Sequence, residues 1–212
     1  MTFNQGINLL LEGATLTVTL TVVVLVASTL LGTCIAVART SGGLANRVAF
    51  TYTWLFRGLP DLLVLFAVFF ALPELGLTLS PFLSAVTAFV LINAAYIGEI
   101  VRAGLIAVPN DQREAAVSLG LSRSHIFARI VVPQAAASVM PAYISQATEV
   151  VKGSSVASVI GVAELIGRSR SVMSVLNEPF QVFTVAAVLY IAINTLLLWG
   201  ESYSQRRFER WK

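Results

Sequence analysis

Charged residues are scarce in this chain, and cysteine and histidine are almost absent. Asp, Glu, Lys and Arg make up 12% of the 212 residues and hydrophobic residues 57%, whereas soluble domains contain about 25% charged residues. A soluble protein of this size would need a more polar surface. The single cysteine, Cys34, excludes a disulfide within the chain and is expected to be a small packing residue. With only one histidine, His125, no Cys/His metal site can form.

Long uncharged segments predict helices that cross a membrane. No Asp, Glu, Lys or Arg occurs in residues 13–38, 75–98, 130–148 or 179–200, and about 20 apolar residues cross the bilayer core. With the turn signals between them, they predict an all-α polytopic membrane protein. Its five spans are expected at residues 14–38, 54–72, 81–101, 133–151 and 180–199, with Pro133 opening span four. Because no internal repeat occurs, we expect one membrane domain over residues 1–212.

The distribution of Lys and Arg predicts that the N-terminus lies outside the cell and the C-terminus in the cytoplasm. This orientation explains the net charge of +3 without a nucleic-acid partner, and Trp199 and Trp211 then fit the aromatic belt at the inner interface. The N-terminus lacks a basic segment, so we expect no cleavable signal peptide. Eleven of the fourteen basic residues become cytoplasmic, namely Arg39, Arg47, Arg57, Arg102, Arg113, Arg123, Arg129, Arg206, Arg207, Arg210 and Lys212.

The segment between spans four and five has its own helical pattern. Its apolar residues fall on one face of a helix, which predicts a short helix at the outer interface. Glu164 and Arg168 are four residues apart on another face and are expected to form a weak pair. The apolar face comprises Val162, Leu165, Ile166, Val172, Met173 and Leu176.

The segment between spans three and four is the most informative part of the sequence. Asp111 and Glu114 have the spacing of a capping box at the start of a helix. Gly120 suits the left-handed position just after a helix end, and Ser122 or Ser124 can cap a second helix. The pattern predicts a helix, a tight turn and a second helix on the cytoplasmic face.

A short rigid helix in this position can dock into a groove on a soluble partner. Ala115 and Ala116 are small, so they allow another surface to approach closely. The alternative from the residues alone is a connecting loop with well-formed caps, in which Glu114 serves only as a capping residue.

Four segments resemble, in order along the chain, motifs of the membrane permeases of bacterial ABC importers. Glu114-Ala115-Ala116, followed by Gly120 and then by Ile130 and Pro133, resembles the EAA loop of that family, here residues 109–133. The other three resemble elements of the polar amino acid branch. They are Phe56–Pro60 (FRG-x-P), Ala95–Arg102 (AAY-x-x-E-I-x-R) and Lys152–Leu165 (KDTSL-x-SVIG-x-x-EL).

The resemblance implies the transmembrane domain of a type I ABC importer in the bacterial inner membrane. It implies ATP-driven import of polar amino acids or related solutes such as opines. The implied partners are a separate ABC ATPase, a second permease subunit, identical or homologous, and an extracytoplasmic solute-binding protein. Contact with the ATPase is implied for Glu114, Ala115, Ala116 and Gly120. The chain lacks the Gly-Lys pair of a Walker A element, so ATP must be bound by the partner, and we expect neither enzyme activity nor a cofactor.

Three departures from the family pattern leave the solute open. Asp111 stands where a Gly is common, and Gly153-Ser154 replaces Asp-Thr. Asp61 directly follows the FRG-x-P element, as in some permeases for basic amino acids and opines.

Ionisable residues at membrane depth usually face a cavity or a charged partner. Glu99 and Arg102, and likewise Glu149 and Lys152, are three residues apart, and the simplest interpretation of each is a structural ion pair. For the second pair we favour a solute pathway, because small polar residues follow it. Tyr96 can contact solute or serve in packing. The candidate translocation path comprises Asp61, Tyr96, Glu149, Lys152, Ser154 and Ser155.

Two other functions remain open at this stage. A secondary transporter or channel would use the buried charges to couple ions, and it would transport without an ATPase. The absence of an inverted repeat disfavours it. A membrane scaffold would have no solute pathway, and it would tolerate replacement of Glu149 and Lys152 by Ala or Leu.

Overall fold

The computed structural model describes the backbone of residues 2–208 and the side chains of residues 2–200. The basic side chains Arg206, Arg207, Arg210 and Lys212, together with Trp211, therefore lie outside the described side chains. The described backbone is almost entirely helical and contains no β-strand. The helices are α1 (Phe3–Ser41), α2 (Gly43–Gly58), α3 (Asp61–Phe66), α4 (Pro81–Ala107), α5 (Asn110–Ser118), α6 (Arg123–Ile126), α7 (Val132–Gly153), α8 (Leu165–Leu176) and α9 (Pro179–Phe208).

Four stretches of the described helices are long and apolar enough to cross a membrane, and a bent pair makes the fifth span. The four are Phe3–Ser41, Pro81–Ala107, Arg123–Ile160 and Pro179–Gly200. The pair consists of α2 and the segment Asp61–Leu75, which meet at 105°. The all-α fold with five spans is thus confirmed, whereas a continuous second span from residue 54 to 72 is wrong.

Pro60 explains the break in span two. It has no backbone N–H and disfavours helical geometry in the residue before it, and Leu59 accordingly has φ −96° and ψ 141°. The chain therefore turns sharply between α2 and α3. As a result Asp61, the first residue of α3, lies directly after this bend rather than along a straight span.

Pro133 does not open span four, contrary to the prediction. The helix runs on from α6 into α7 through a single wide π-helical turn, Phe127–Val131. A proline ring collides with the carbonyl four residues earlier, here that of Arg129, and a π turn is one way of relieving this collision. A similar π turn, Ala67–Ala71, precedes Pro73 in span two.

The main apolar core lies where α1, α3, α4 and the end of span four meet. Its buried members include Leu20, Val24, Leu65 and Ile92, each at most 2% exposed. Many large apolar side chains on the outer faces of α1, α2 and α9 are exposed, as expected for surfaces that face lipid or other subunits. Cys34 is also exposed, so its predicted packing role is wrong within this chain.

Helices α1 and α4 approach so closely that their contact requires glycine. A Cβ atom added to Gly98 would lie 3.0 Å from Ile35 Cγ2 and 3.2 Å from the carbonyl oxygen of Gly32. One added to Gly32 would lie 3.0 Å from the carbonyl oxygen of Ala94. Small residues at such crossings allow extensive van der Waals contact between membrane helices.

We expect Gly98→Val to destabilise the bundle, because the branched side chain must push α1 and α4 apart. Overpacking of this kind costs about 1–3 kcal/mol of unfolding free energy. Thermal unfolding of the purified protein in detergent, followed by circular dichroism, measures the loss. Gly200→Val is the matched control, since nothing lies within 4 Å of its added Cβ. Equal melting of the two variants would contradict the close helix crossing.

The loop between spans three and four folds as a helical hairpin. Helix α5 ends in a Schellman motif, in which Gly120 N donates to the Val117 carbonyl and Leu121 N to the Ala116 carbonyl. Gly120 has φ 75°, as predicted, and Ser122 accepts a hydrogen bond from the backbone N of His125 and caps α6. The predicted capping box is wrong.

Helix α5 begins earlier than that capping box requires. It begins at Asn110 with Pro109 as its N-cap residue, so Asp111 is already the second residue of the helix. No side chain caps this helix start. Proline suits such a start because its ring fixes an extended approach and it has no N–H to satisfy.

Helix α8 packs against the N-terminal part of α1, and Val162, Leu165 and Val172 of its predicted apolar face are buried. Glu164 does not pair with Arg168. Its carboxylate is fully buried and accepts hydrogen bonds from Gly167 N at 2.8 Å and Tyr190 Oη at 3.0 Å. Burial raises the pKa of Glu164, and these hydrogen bonds oppose the rise.

Arg168 instead binds Glu12 of α1 at 3.3 Å. The predicted pairing is therefore wrong, because Glu164 lies at the N-cap of α8 and its carboxylate folds back over the first turn.

Candidate functional site

A polar cavity of about 270 Å³ lies between α3, α4 and α7. The bend at Pro60 brings Asp61 to its edge, opposite Glu149 of α7. Both carboxylates belong to exposed residues, so the cavity opens at the surface of the subunit. It is lined by Asp61, Phe89, Ile92, Asn93, Tyr96, Gln146, Glu149, Val150 and Gly153.

Two amide side chains join the walls of this cavity. Gln146 Nε2 donates to Asn93 Oδ1 at 2.8 Å, and Asn93 Nδ2 donates to the Phe89 carbonyl oxygen at 2.8 Å. Asn93 is 6% exposed. A buried amide of this kind is stable only when its polar atoms are bonded, so this chain of bonds links α4 to α7 while presenting a polar wall.

Tyr96 lies at the opening of the cavity beside Arg57 of α2. Its hydroxyl donates to the Arg57 carbonyl oxygen at 3.4 Å, and the Arg57 guanidinium lies 5.3 Å from the ring centre. A cation over an aromatic face is attracted by the ring's electrons. Tyr96 therefore lines the cavity and is also held in place by its contacts with α2.

Three of the six residues predicted for a solute path line this cavity, and three do not. Asp61, Tyr96 and Glu149 are brought together, whereas Lys152 lies outside and forms an exposed ion pair with Glu149. Ser154 and Ser155 donate to the carbonyl oxygens of Val151 and Lys152, at 2.8 Å and 2.7 Å. Both serines follow α7 in a 3₁₀ turn, Ser154–Ile160, which continues the helix direction.

Asn93 and Gln146 were not identified as site residues from the sequence, although their residue type gave an indication. Each is an uncharged polar residue inside an otherwise apolar span. Such residues in a membrane helix seek hydrogen-bond partners on neighbouring helices. Only the fold shows that the two face each other across one cavity.

A second candidate surface is the exposed face of α5. Glu114 and Ala115 are exposed, as are Val117 and Leu119, the latter at 80%. Ala116 is only 3% exposed and packs against Val108, Ile126 and Val131. Of the two alanines, Ala115 is thus available to a partner, and Ala116 fixes the helix to its base.

Polar contacts hold α5 rigidly against the bundle. Arg113 donates to the Leu105 carbonyl oxygen at 2.7 Å, at the end of α4. Gln134 Nε2 donates to Gln112 Oε1 at 2.5 Å, from the start of α7. These two bonds connect α5 to α4 and α7, which carry most of the cavity wall.

Glu99 forms the centre of a charged cluster at the α5 end of the bundle. It binds Arg102 at 2.7 Å, as predicted, and also Arg39 of α1 at 2.9 Å. Arg39 further donates to Asn46 at 2.6 Å and lies over the Phe50 ring. The cluster connects α1, α2 and α4.

Comparison with known proteins agrees with this architecture. The profile described as "Binding-protein-dependent transport system inner membrane component" matches residues 28–210. A glutamine transport system permease of Escherichia coli K12 is 33% identical over 208 residues, covering 97% of this chain and 93% of that protein. An L-cystine transport system permease of Bacillus subtilis is 35% identical over 174 residues, covering 79% and 73%.

Solved structures show the same fold. An amino acid ABC transporter crystallised with histidines has a TM-score of 0.89 at 29% identity, covering 98% of this chain and all of that chain. A methionine ABC transporter in inward-facing conformations has a TM-score of 0.80 at 19% identity, covering 98% and 99%. The resemblance found in the motifs is thus confirmed. This chain belongs to the family of inner-membrane components of binding-protein-dependent transport systems, as a multi-pass permease subunit of the ABC importer type and not an enzyme.

Proposed function

We propose that this permease subunit carries polar amino acids or closely related solutes across the inner membrane, driven by a separate ATPase subunit. Its relatives are named for glutamine, cystine and arginine transport. The observation that carries the proposal is the polar cavity between α3, α4 and α7. Such a cavity inside an apolar bundle favours a polar solute over a lipophilic one.

The chemistry of the cavity fits the two ends of an amino acid. The carboxylates of Asp61 and Glu149 can bind an ammonium group through charge-assisted hydrogen bonds. The amides of Asn93 and Gln146 and the hydroxyl of Tyr96 can bond the remaining polar groups of the solute. We assign solute contact to these five residues, and we assign Lys152, Ser154 and Ser155 to the support of the path.

Helix α5 is proposed as the docking element for the ATPase. Its exposed side, with Glu114 and Ala115, would enter a groove of that subunit, and Gly120 would hold the turn that follows. Because α5 is anchored to α4 and α7, closure of the ATPase would move the cavity walls as rigid bodies.

The assembly is proposed to contain two permease subunits. Five spans are few to enclose a pathway, and the cavity opens at the subunit surface, so a second, identical or homologous subunit would complete it. Residues 1–212 would form one transmembrane domain with the N-terminus outside and the α5 loop, residues 109–133, in the cytoplasm. A solute-binding protein would deliver solute to the outer face near α8.

Uptake by reconstituted proteoliposomes tests this function. The chain, co-expressed with its ATPase, second permease and binding protein, is expected to accumulate a labelled polar amino acid only with hydrolysable ATP. The same vesicles with a non-hydrolysable analogue are the control. Accumulation driven by an ion gradient without ATP would contradict the proposal and favour a secondary transporter. Absence of uptake for the whole set of polar amino acids would favour a scaffold.

A further inference from the structure

A basic pocket and an apolar groove lie side by side on the surface between α1, α4 and α7. The pocket has a volume of about 390 Å³ and is lined by Arg39 and Arg113. The groove has a volume of about 410 Å³. Leu105 and Phe127 line both cavities, so the two are adjacent.

The groove is almost wholly apolar along its length. Val37, Leu105, Val139 and Met140 are among its lining residues. At its far end the hydroxyls of Thr29 and Tyr143 are 2.7 Å apart and bond each other, so they present little polarity to an occupant. An apolar groove of this kind suits a hydrocarbon chain.

The length of the groove matches one leaflet of a bilayer. From Arg39 to Thr29 the helix α1 rises by about 15 Å at 1.5 Å per residue. The hydrocarbon core of a bilayer is about 30 Å thick, so half of it is also about 15 Å. A chain that begins at the arginines thus ends near the middle of the membrane, beside Thr29 and Tyr143.

The charges at the mouth of the groove favour an anion. Arg39 and Arg113 line the pocket and no acidic residue is among its described lining residues, although Arg39 also pairs with Glu99. The Nε atom of Arg113 is buried and has no hydrogen-bond partner among the described residues. A buried donor without an acceptor is costly unless a ligand supplies one.

We propose that this pocket and groove bind one anionic phospholipid from the leaflet on the α5 side of the membrane. The phosphate would accept from Arg113 beside Arg39, and one acyl chain would lie between α1 and α7. This site is separate from the solute cavity, and the proposal does not depend on which solute is carried. A lipid there would also contact Leu105, whose carbonyl oxygen holds α5 through Arg113.

Native mass spectrometry of the purified complex, titrated with defined lipids, tests the proposal. The probes are phosphatidylglycerol and phosphatidylcholine with identical acyl chains. The wild type is expected to bind phosphatidylglycerol more tightly, and Arg113→Gln is expected to reduce that preference about fivefold, the worth of one arginine near a membrane surface. Arg47→Gln, at an exposed arginine of α2 outside the pocket, should leave it unchanged.

A groove-filling variant distinguishes the lipid from other occupants. Ala136→Phe fills the groove and is expected to abolish binding of both lipids, whereas Ala142→Phe, at an exposed position of α7 outside the groove, should not. Equal affinity for the two lipids in the wild type, or an unchanged preference in Arg113→Gln, would overturn the proposal. Loss of the second permease subunit from the Ala136→Phe complex would assign the groove to that subunit instead and overturn it as well.

Discussion

Reversing the charge of Glu114 together with replacing Gly120 is expected to abolish ATP-driven uptake. In the double variant Glu114→Lys, Gly120→Asp, the exposed side of α5 changes sign, and an L side chain enters a backbone position with φ 75°. The left-handed conformation costs such a residue about 1–2 kcal/mol, so the turn after α5 should loosen. We expect uptake to fall by at least about tenfold, the equivalent of 1.4 kcal/mol.

The measurement combines uptake in proteoliposomes with the amount of ATPase that remains on the membrane. Loss of both would support docking through α5, because the cavity residues are unchanged. Glu74→Lys is the matched control, since Glu74 is an exposed acid in the turn Pro73–Leu75, away from α5. Wild-type uptake in the double variant would remove the coupling role of this loop.

Neutralising the two cavity carboxylates is expected to weaken solute transport without loss of the ATPase. Asp61→Asn and Glu149→Gln preserve shape but remove the charges that would bind an ammonium group. Hydrogen bonds to charged groups contribute about 1.5–3 kcal/mol, so each change should raise the apparent KM for solute by about tenfold or more. The double variant should show the larger defect.

The dependence of uptake on solute concentration measures this effect, at a fixed saturating amount of binding protein. Glu178→Gln is the control, because Glu178 is an exposed acid outside the cavity. Glu149→Gln also leaves Lys152 without its carboxylate, so Lys152→Gln separates loss of the ion pair from loss of the cavity charge. An unchanged KM in Asp61→Asn would contradict solute contact at this cavity.

Local chemistry explains where the sequence predicted the structure well. Uncharged runs identify membrane helices, because an unpaired charge at membrane depth is costly. Gly120 identifies a helix end, because it adopts the left-handed backbone conformation found there. Ser122 identifies a helix start, because its side chain accepts a hydrogen bond from a free backbone N–H of the first turn. The four motifs, taken together and in order along the chain, indicated the family.

Contacts between distant segments account for two predictions that were wrong or incomplete. Glu164 was expected to pair with Arg168 one turn along, yet its carboxylate is bound by Tyr190 and by the start of its own helix. Glu99 was paired with Arg102 alone, yet Arg39 from α1 is its second partner. In both cases one partner lies more than twenty residues away in the chain, where spacing carries no information.

By itself, the sequence determined the membrane class, the number of spans, the helical hairpin with α5 and the family of this protein. Each depends on composition or on residues that are near one another in the chain. Only the tertiary structure decided that Asp61 and Glu149 line one cavity together with Asn93 and Gln146. The physical reason is that several helices form the cavity by packing together. The sequence of one helix does not show how far its residues lie from those of the other helices.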